Sequence, residues 1–149
     1  MEKEKGFTLV ELLVVVSVIA ILASTVLVNL RGARERAMDT RVIASLGQIR
    51  AIAEIIQART TNYAALCAGG TLTITTLDGL NLLRDDIDAN NGGPVGNHAA
   101  CFAAGSDYCV SSTLNVPGEF WCINSRGRSA RTTTSCTVAT INAASCGGL

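Results

Sequence analysis

The feature that most constrains this chain is an uncharged, apolar run of 19 residues near its N-terminus, Leu12–Leu30. A helix of that length spans about 28 Å, close to the ~30 Å hydrocarbon core of a bilayer. Glu11 directly precedes the run, and an ionised carboxylate costs about 2.5 kcal/mol or more toward the centre of a bilayer. The run therefore predicts a transmembrane helix, and the cost of the carboxylate indicates that Glu11 has a function.

The helical pattern continues beyond the apolar run. Apolar residues recur at steps of four, three, four and three, at Val42, Leu46, Ile49, Ala53 and Ile56. This period predicts an amphipathic helix with one buried face that ends near Thr60–Asn62. We therefore expect one long helix, about 81 Å if straight, with a transmembrane part at 7–30 and an amphipathic part at 31–61. We also expect an i,i+4 ion pair between Arg31 and Glu35.

Residues 62–149 have the composition of a small, loop-rich β domain. Two β-rich runs, Ser106–Leu114 and Glu119–Ser125, flank Pro117-Gly118, a pair that suits the centre of a type II turn. These segments predict a hairpin in which odd-numbered residues lie opposite even-numbered ones.

This parity places Cys109 and Cys122 on one face of the hairpin, and we expect a disulfide between them. The other face collects the apolar residues that we expect to pack on the helix: Tyr108, Val110, Trp121 and Ile123. The other predicted segments are strands at Thr71–Leu77 and Thr132–Ile141, loops at 62–70 and 90–105, and a basic turn at 127–131.

All six cysteines lie in the C-terminal part of the chain: Cys67, Cys101, Cys109, Cys122, Cys136 and Cys146. Their even number in a small domain predicts three disulfides, and therefore an oxidising compartment. The spacing leaves the remaining pairs open, and a bridge between Cys136 and Cys146 is one of the pairings it allows. A zinc site is disfavoured because no C-x₂₋₄-C pair occurs and His98 is the only histidine.

Two signals disagree on the orientation of the chain in a membrane. The positive-inside rule places the C-terminal domain in the cytoplasm, since four arginines follow the span within residues 31–41 and only Lys3 and Lys5 precede it. The cysteines indicate the opposite, because a reducing cytosol would leave their thiols unpaired. We expect a single-pass membrane protein with its C-terminal domain outside the cytoplasm.

The N-terminus resembles the class III signal of type IV pilins and type II secretion pseudopilins, through the residues Lys5-Gly6-Phe7-Thr8-Leu9-Val10-Glu11-Leu12-Leu13. The resemblance implies that residues 1–6 are a leader, which a prepilin peptidase removes between Gly6 and Phe7. It implies that Phe7 is then N-methylated, and that Glu11 bonds the N-terminal amine of a neighbouring subunit. Many members carry a proline late in the hydrophobic segment, whereas the first proline here is Pro94.

The sequence carries no enzyme signature, because His98 stands alone in a loop rich in Gly and Asn and no Gly-rich phosphate loop precedes a helix. No cofactor is expected apart from one calcium candidate. Asp86, Asp88 and Asn90 place oxygen ligands at alternate positions, as at the start of a calcium loop. The sixth loop position is Asn91 rather than Gly, so a solvated turn after a short strand or helix is the alternative.

Two further groups of residues have both a binding and a structural interpretation. Arg126, Arg128 and Arg131 form a basic patch that suits DNA, but a solvated rim is the expected reading because the net charge is zero. Nucleic acid is therefore not an expected partner. Tyr108 and Trp121 suit a sugar platform if exposed, but we expect both to pack inward, since a small domain needs its few aromatic residues.

The resemblance and the residue pattern together predict an α+β fold, in which a long N-terminal helix packs on a small antiparallel sheet held by disulfides. The expected function is structural: a subunit of an extracellular pilus, homopolymeric or mixed, for adhesion, motility or DNA uptake. Expected partners are a prepilin peptidase, the pilus assembly machinery and, before assembly, the cytoplasmic membrane. The alternatives are a pseudopilin of a type II secretion system and a monomeric, membrane-anchored binding module.

Overall fold

The computed structural model describes residues 6–73, 79–93, 98–141 and 146. The chain divides into two compact units, one that ends at Arg34 and one that begins at Glu35. The first helix, α1 (Leu9–Thr60), contributes to both. It ends where Thr61 takes a positive φ of 62°, a conformation that stops a helix. The predicted end near Thr60 is therefore confirmed, and the helix begins two residues later than expected.

The first unit is the apolar start of α1. An 18-residue window of this helix has a mean hydropathy of 2.6 and is 0% buried, so it is long and apolar enough to cross a membrane. The predicted pair between Arg31 and Glu35 is absent from the ion pairs of the described residues. Both side chains are exposed, where such a pair gains little over separate hydration.

The second unit is an antiparallel sheet of six strands in sequential order. The strands are β1 (Cys67–Ala68), β2 (Thr71–Leu72), β3 (Ala100–Ala104), β4 (Asp107–Thr113), β5 (Phe120–Asn124) and β6 (Ser129–Thr132). The second helix, α2 (Leu80–Asn90), lies between β2 and β3 in the chain, and short 3₁₀ helices occupy Ala64–Leu66 and Val138–Thr140. Together with α1, this sheet gives the predicted α+β fold.

The core forms between one face of α1 and the inner face of the sheet. The predicted helical stripe is confirmed, since Val42, Leu46, Ile49, Ala53 and Ile56 are each at most 1% exposed. They share one cluster with Tyr108, Val110 and Ile123 from the sheet and with Leu80 and Ile87 from α2. Trp121 is half-buried against the same cluster. The inward packing expected for the aromatic residues is thus confirmed.

The hairpin β4–β5 has the predicted parity but a register shifted by two residues. Cys109 lies opposite Asn124 and Cys122 opposite Ser111, so the two cysteines are diagonal neighbours. The turn is the predicted Pro-Gly turn: Gly118 has a φ of 79°, and the N–H of Glu119 donates to the carbonyl of Val116 over 3.2 Å.

The expected disulfide between Cys109 and Cys122 is wrong, and so is the pairing of Cys136 with Cys146. The three bridges are Cys67–Cys101, Cys109–Cys136 and Cys122–Cys146. The physical reason is the segment after β6, which lies on the outer face of the sheet and brings its own cysteines to those of the hairpin. There the N–H of Cys136 donates to Ser111 Oγ over 2.8 Å.

Local propensity also misplaced several elements. The predicted strand Thr132–Ile141 is wrong apart from its first residue, because β6 covers Ser129–Thr132. The bridges of Cys136 and Cys146 hold residues after β6 on the outer face of the sheet. Strand β3 lies inside the segment predicted as a loop, 90–105, and helix α2 lies where no element was predicted. The predicted strand Thr71–Leu77 is present as β2 over its first two residues, and its residues 74–77 lie outside the described part.

One buried carboxylate ties α1 to the hairpin turn. Asp39 is 6% exposed, and its Oδ1 accepts hydrogen bonds from the N–H of Asn115 at 2.8 Å and from Asn115 Nδ2 at 2.9 Å. The same Nδ2 donates to the carbonyl of Asn90 at the end of α2, over 2.9 Å. Asn115 thereby holds both helices against the turn of the sheet.

We predict that Asp39→Ala lowers the free energy of unfolding of the full chain in detergent by about 2–4 kcal/mol, because two hydrogen bonds to a charged acceptor are lost. Asp85→Ala is the matched control, since it is also a helical aspartate but its side chain is 61% exposed and, among the described residues, pairs only with Arg84. Its effect should stay within about 0.5 kcal/mol. Urea unfolding followed by near-ultraviolet circular dichroism measures both, and equal effects would contradict the role of Asp39.

Candidate functional site

The start of α1 is closed by a reciprocal pair of hydrogen bonds between Thr8 and Glu11. Glu11 Oε2 accepts from the N–H of Thr8 at 2.9 Å and from its Oγ1 at 2.7 Å. The N–H of Glu11 donates to Thr8 Oγ1 at 3.3 Å. This is a capping box, in which two residues satisfy each other's backbone groups at a helix N-terminus.

The capping box leaves the Glu11 carboxylate partly satisfied and partly free. One oxygen has two donors from Thr8, and the helix N-terminus favours a negative charge nearby. Among the described residues, no hydrogen bond or ion pair reaches the other oxygen, Oε1, and the whole side chain is exposed. The site can therefore accept one further donor without first breaking an internal bond.

The surface around this carboxylate is apolar and uncovered. Every described side chain from residue 6 to residue 27 is exposed, and the exposed apolar ones include Phe7 at 75% and Leu9 at 78%. Monomeric soluble proteins rarely expose a continuous apolar surface of this size. Lipid or other protein chains must therefore cover this part of the helix.

The few polar side chains on this surface are satisfied within the helix. The hydroxyls of Ser17, Ser24 and Thr25 donate to carbonyls one turn earlier, over 2.7–2.8 Å. Hydroxyl groups satisfied in this way can enter hydrocarbon or a protein core. Glu11 is then the group on the described part of this surface that still offers a charged acceptor.

The candidate calcium loop at Asp86, Asp88 and Asn90 is not a loop, because the segment is part of α2. Successive positions on a helix point in different directions, so alternate residues do not converge on one cation. Asp86 Oδ2 accepts from Ser45 Oγ at 2.7 Å, and Asp88 Oδ2 lies 2.5 Å from His98 Nδ1. Asn90 Nδ2 donates to the carbonyl of Asp86 at 2.7 Å. These side chains join α2 to its neighbours.

The basic patch is largely paired with acidic side chains. Arg126 lies 3.8 Å from Asp107, and Arg131 lies 2.6 Å from Glu119. The carbonyl of Arg128 accepts a hydrogen bond from the Arg50 guanidinium. The surface therefore presents less free positive charge than three arginines suggest, which agrees with a solvated rim.

The aromatic residues of the sheet are structural. Tyr108 is 0% exposed and meets Tyr63 edge to face with ring centroids 4.7 Å apart. Burial raises the pKa of Tyr108 to about 12. The pKa of Tyr63 is also raised, first by burial and then by the charge of Glu54, whose carboxylate accepts from its hydroxyl at 3.2 Å. Tyr108 therefore belongs to the core and is not part of an exposed aromatic surface.

Sequence reasoning missed one residue of the site, Thr8. The signal was present, because Thr8-Leu9-Val10-Glu11 has the spacing of a capping box just before an apolar helix. Of the other predicted site residues, Gly6 and Phe7 are exposed and precede the helix, and Glu11 lies in its first turn.

Comparisons with known proteins point to the same N-terminal segment. Residues 1–27 match the family model of the prokaryotic N-terminal methylation motif. The chain is 46% identical over 74 residues to the type IV wide pilus major component PilA4 of Thermus thermophilus, covering 47% of this chain and 56% of that protein. It is 43% identical over 54 residues to a probable minor fimbrial protein of Dichelobacter nodosus, covering 36% and 34%.

A third relative comes from a secretion machine. The type II secretion system core protein G of Klebsiella pneumoniae is 41% identical over 46 residues, covering 31% of this chain and 33% of that protein. None of the three names describes an enzyme. The aligned segments span about half the length of the first relative and a third of the other two.

We predict that Thr8→Val loosens the start of α1, because the hydroxyl that accepts from Glu11 and donates to it is lost. Loss of such a cap costs about 1 kcal/mol, which corresponds to amide exchange roughly fivefold faster in the first turn. Hydrogen exchange of the full chain in detergent measures this rate. Thr8→Ser keeps the hydroxyl and is the control. Exchange in Thr8→Val at the wild-type rate would contradict the capping role.

Proposed function

We propose that this chain is a structural subunit of the type IV pilin and pseudopilin family, which polymerises through its N-terminal helix into an extracellular filament. The observation that carries the proposal is the exposed apolar start of α1, 0% buried over an 18-residue window. Side-by-side packing of such helices removes apolar surface from contact with water or lipid, and burial out of water is worth about 25 cal/mol per Å². The similarity to pilus and fimbrial components supports the same conclusion.

The proposed assembly mechanism begins at the leader. A prepilin peptidase cuts between Gly6 and Phe7, and the new N-terminal Phe7 is methylated. Glu11 of one subunit then accepts the amine of Phe7 of the next through Oε1, while Thr8 continues to hold Oε2. The apolar contacts supply most of the association energy, and the charge pair sets the axial register, as a single buried polar contact does in coiled coils.

The proposed location follows from the chemistry of the two units. The apolar part of the helix, residues 7–30, anchors the unassembled subunit in the bacterial cytoplasmic membrane. The disulfide-bonded domain, residues 62–149, lies outside, where thiols are oxidised. The intervening part, 31–61, connects the two. After assembly by the pilus machinery the subunit is part of an extracellular homopolymer or mixed filament that serves adhesion, motility or DNA uptake.

A second candidate function is that of a pseudopilin. The 41% identity to a type II secretion core protein favours it, and the same helix and carboxylate serve both. Mass spectrometry of material sheared from cells distinguishes the candidates. Abundant mature chain in long surface filaments supports a pilin, and its restriction to short, envelope-bound fibres supports a pseudopilin. A chain found only as a membrane monomer is a binding module and contradicts both.

We predict that Gly6→Arg blocks removal of the leader and keeps the chain in the membrane fraction, because a peptidase site that accepts glycine has no room for a long side chain. The only lysines of the chain are Lys3 and Lys5. Cleavage therefore leaves Phe7 as the only amine, and an amine-reactive dye distinguishes the two forms by the number of labels. Gly6→Ala, with a small side chain, is the control. Filaments whose subunits retain Lys3 and Lys5 would exclude this processing step.

We predict that Glu11→Ala leaves the amount of membrane-inserted subunit unchanged and lowers the yield of sheared filaments at least tenfold. Removal of one partner of a buried charge pair costs about 3–5 kcal/mol, and the monomer has no such pair to lose. Glu35→Ala is the control, because Glu35 is an exposed carboxylate of the same helix. Quantitative immunoblots of the membrane and sheared fractions measure both variants. A normal filament yield from Glu11→Ala would refute the register role.

A further inference from the structure

The two bridges on the outer face of the sheet are crossed in the order of the chain. Cys109 bonds Cys136 and Cys122 bonds Cys146, so each bridge has one of its two cysteines inside the loop that the other bridge closes. The bridge Cys67–Cys101, in contrast, joins neighbours in the sequence of cysteines. A chain that oxidises its cysteines in the order in which they leave the cytoplasm forms the Cys67–Cys101 bridge correctly. The same chain pairs the other four cysteines incorrectly.

Loop entropy favours the uncrossed pairs Cys109–Cys122 and Cys136–Cys146. Their separations are 13 and 10 residues, against 27 and 24 for the native pairs. With a closure probability that falls as the power −3/2 of loop length, the uncrossed scheme is favoured about tenfold in the unfolded chain. Translocation from the N-terminus adds to this bias, because Cys109 and Cys122 emerge before either native partner.

The hairpin itself promotes the same incorrect bond. Cys109 and Cys122 lie on one face of β4 and β5, two residues from being directly opposite. Their Sγ atoms are 3.6 Å apart even while each is bonded to another cysteine. As soon as the Pro117-Gly118 turn forms, the two thiols therefore meet without any help from the C-terminal segment.

A chain oxidised in this way cannot correct itself. No cysteine is free in the native pairing, and none is free in the uncrossed pairing either, since both use all six. Disulfide exchange needs a thiolate as the nucleophile. The correcting thiolate must therefore come from another molecule.

We propose that the folding partner of this domain is a disulfide isomerase that presents a nucleophilic cysteine thiolate. The thiolate attacks Cys109 Sγ of the Cys109–Cys122 bond, forms a mixed disulfide and releases the Cys122 thiolate. Cys122 then attacks Cys146 Sγ and releases the Cys136 thiolate. Cys136 finally attacks Cys109 Sγ, forms the native bond and releases the isomerase thiolate. The number of disulfides is unchanged, and no net oxidant or reductant is needed.

Burial gives this exchange a direction. In the native fold the four sulfurs lie in one cluster, where their residues are 0–4% exposed. The segment after β6 covers them, with Ser135 Oγ 3.1 Å from Ser111 Oγ. In the uncrossed scheme no bridge holds this segment on the sheet, so the Cys109–Cys122 bond stays accessible to the isomerase. The enzyme therefore acts on the incorrect form and loses access once the native form closes.

The test uses the full chain in detergent, reduced, unfolded and then oxidised rapidly with diamide before addition of a purified disulfide isomerase. Samples are blocked with N-ethylmaleimide and digested with trypsin. The peptide from Asp85 to Arg126 carries three cysteines, and the peptide from Thr132 to Leu149 carries Cys136 and Cys146. The uncrossed scheme releases the C-terminal peptide alone, whereas native pairing links the two peptides. Tandem mass spectrometry assigns the linked cysteines.

We expect the C-terminal peptide to be mostly unlinked after rapid oxidation, and the isomerase to speed its linkage at least tenfold. An isomerase whose nucleophilic cysteine is serine should have no effect. Native linkage at the same rate without the active enzyme would overturn the proposal. Accumulation of Cys109–Cys146 with Cys122–Cys136 instead of the uncrossed pairs would overturn the proposed route.

Two double variants supply matched controls. Cys122→Ala with Cys146→Ala leaves only bridges between consecutive cysteines, so Cys109–Cys136 should form at one rate with or without the isomerase. Cys67→Ala with Cys101→Ala retains the crossing and should depend on the isomerase like the wild type. Equal dependence of both variants would overturn the proposal even if one of them folds poorly, because the readout is pairing. The inference uses the proposed location outside the cytoplasm, but the purified test is independent of filament assembly.

Discussion

A single helix, α1, meets two different environments, and the rest of the molecule depends on how its side chains divide them. In its first part apolar residues lie on every side and are exposed, so this part is stable only in lipid or among other helices. Beyond Glu35 the apolar residues narrow to one stripe, from Val42 to Ile56, and the sheet covers them. The transition needs no break in the backbone, because the change lies in the periodicity of side chains and the hydrogen bonds of the helix continue.

The sheet has two faces to cover, and α1 packs on only one of them. Its inner face packs on the stripe of α1, through Tyr108, Val110 and Ile123. Its outer face carries Cys109, Ser111 and Cys122, all at most 1% exposed, although α1 and α2 both contribute to the core on the other face. The segment after β6 covers this face, and two disulfides hold it. Each closes a loop of roughly 25 residues, worth about 3.5 kcal/mol in the chain-entropy account. In a domain this small, such bonds replace a second hydrophobic layer.

Patterns set by neighbouring residues could be predicted, and pairings set by distant ones could not. The stripe of α1 follows from a period that five residues display, and the parity of the hairpin follows from Pro117-Gly118. The disulfide between Cys109 and Cys122 was the natural local expectation, because both residues do share a face. It failed because Cys136 and Cys146 arrive from a segment whose Thr-rich composition indicates a strand. The calcium loop failed similarly: Asp86 and Asp88 form contacts with Ser45 and His98, which nothing in residues 86–91 reveals.

At the candidate site, the same argument explains what was found and what was missed. Glu11 was identified because its charge conflicts with an apolar run, and Thr8 was missed although its spacing to Glu11 is that of a capping box.

The composition adds a constraint on the partner of Glu11. Every basic residue after the leader is an arginine apart from His98, so removal of residues 1–6 leaves Phe7 with the only amine in each subunit. In a homopolymer, an ammonium–carboxylate contact with Glu11 can then form in one way only, between Glu11 and Phe7. The first guanidinium group after the apolar run is that of Arg31, about 30 Å from Glu11 along a straight helix. In the filament that we propose, this contact specifies one axial register without competition from other amines. The apolar surface around it, which has little positional preference of its own, supplies the association energy of that filament.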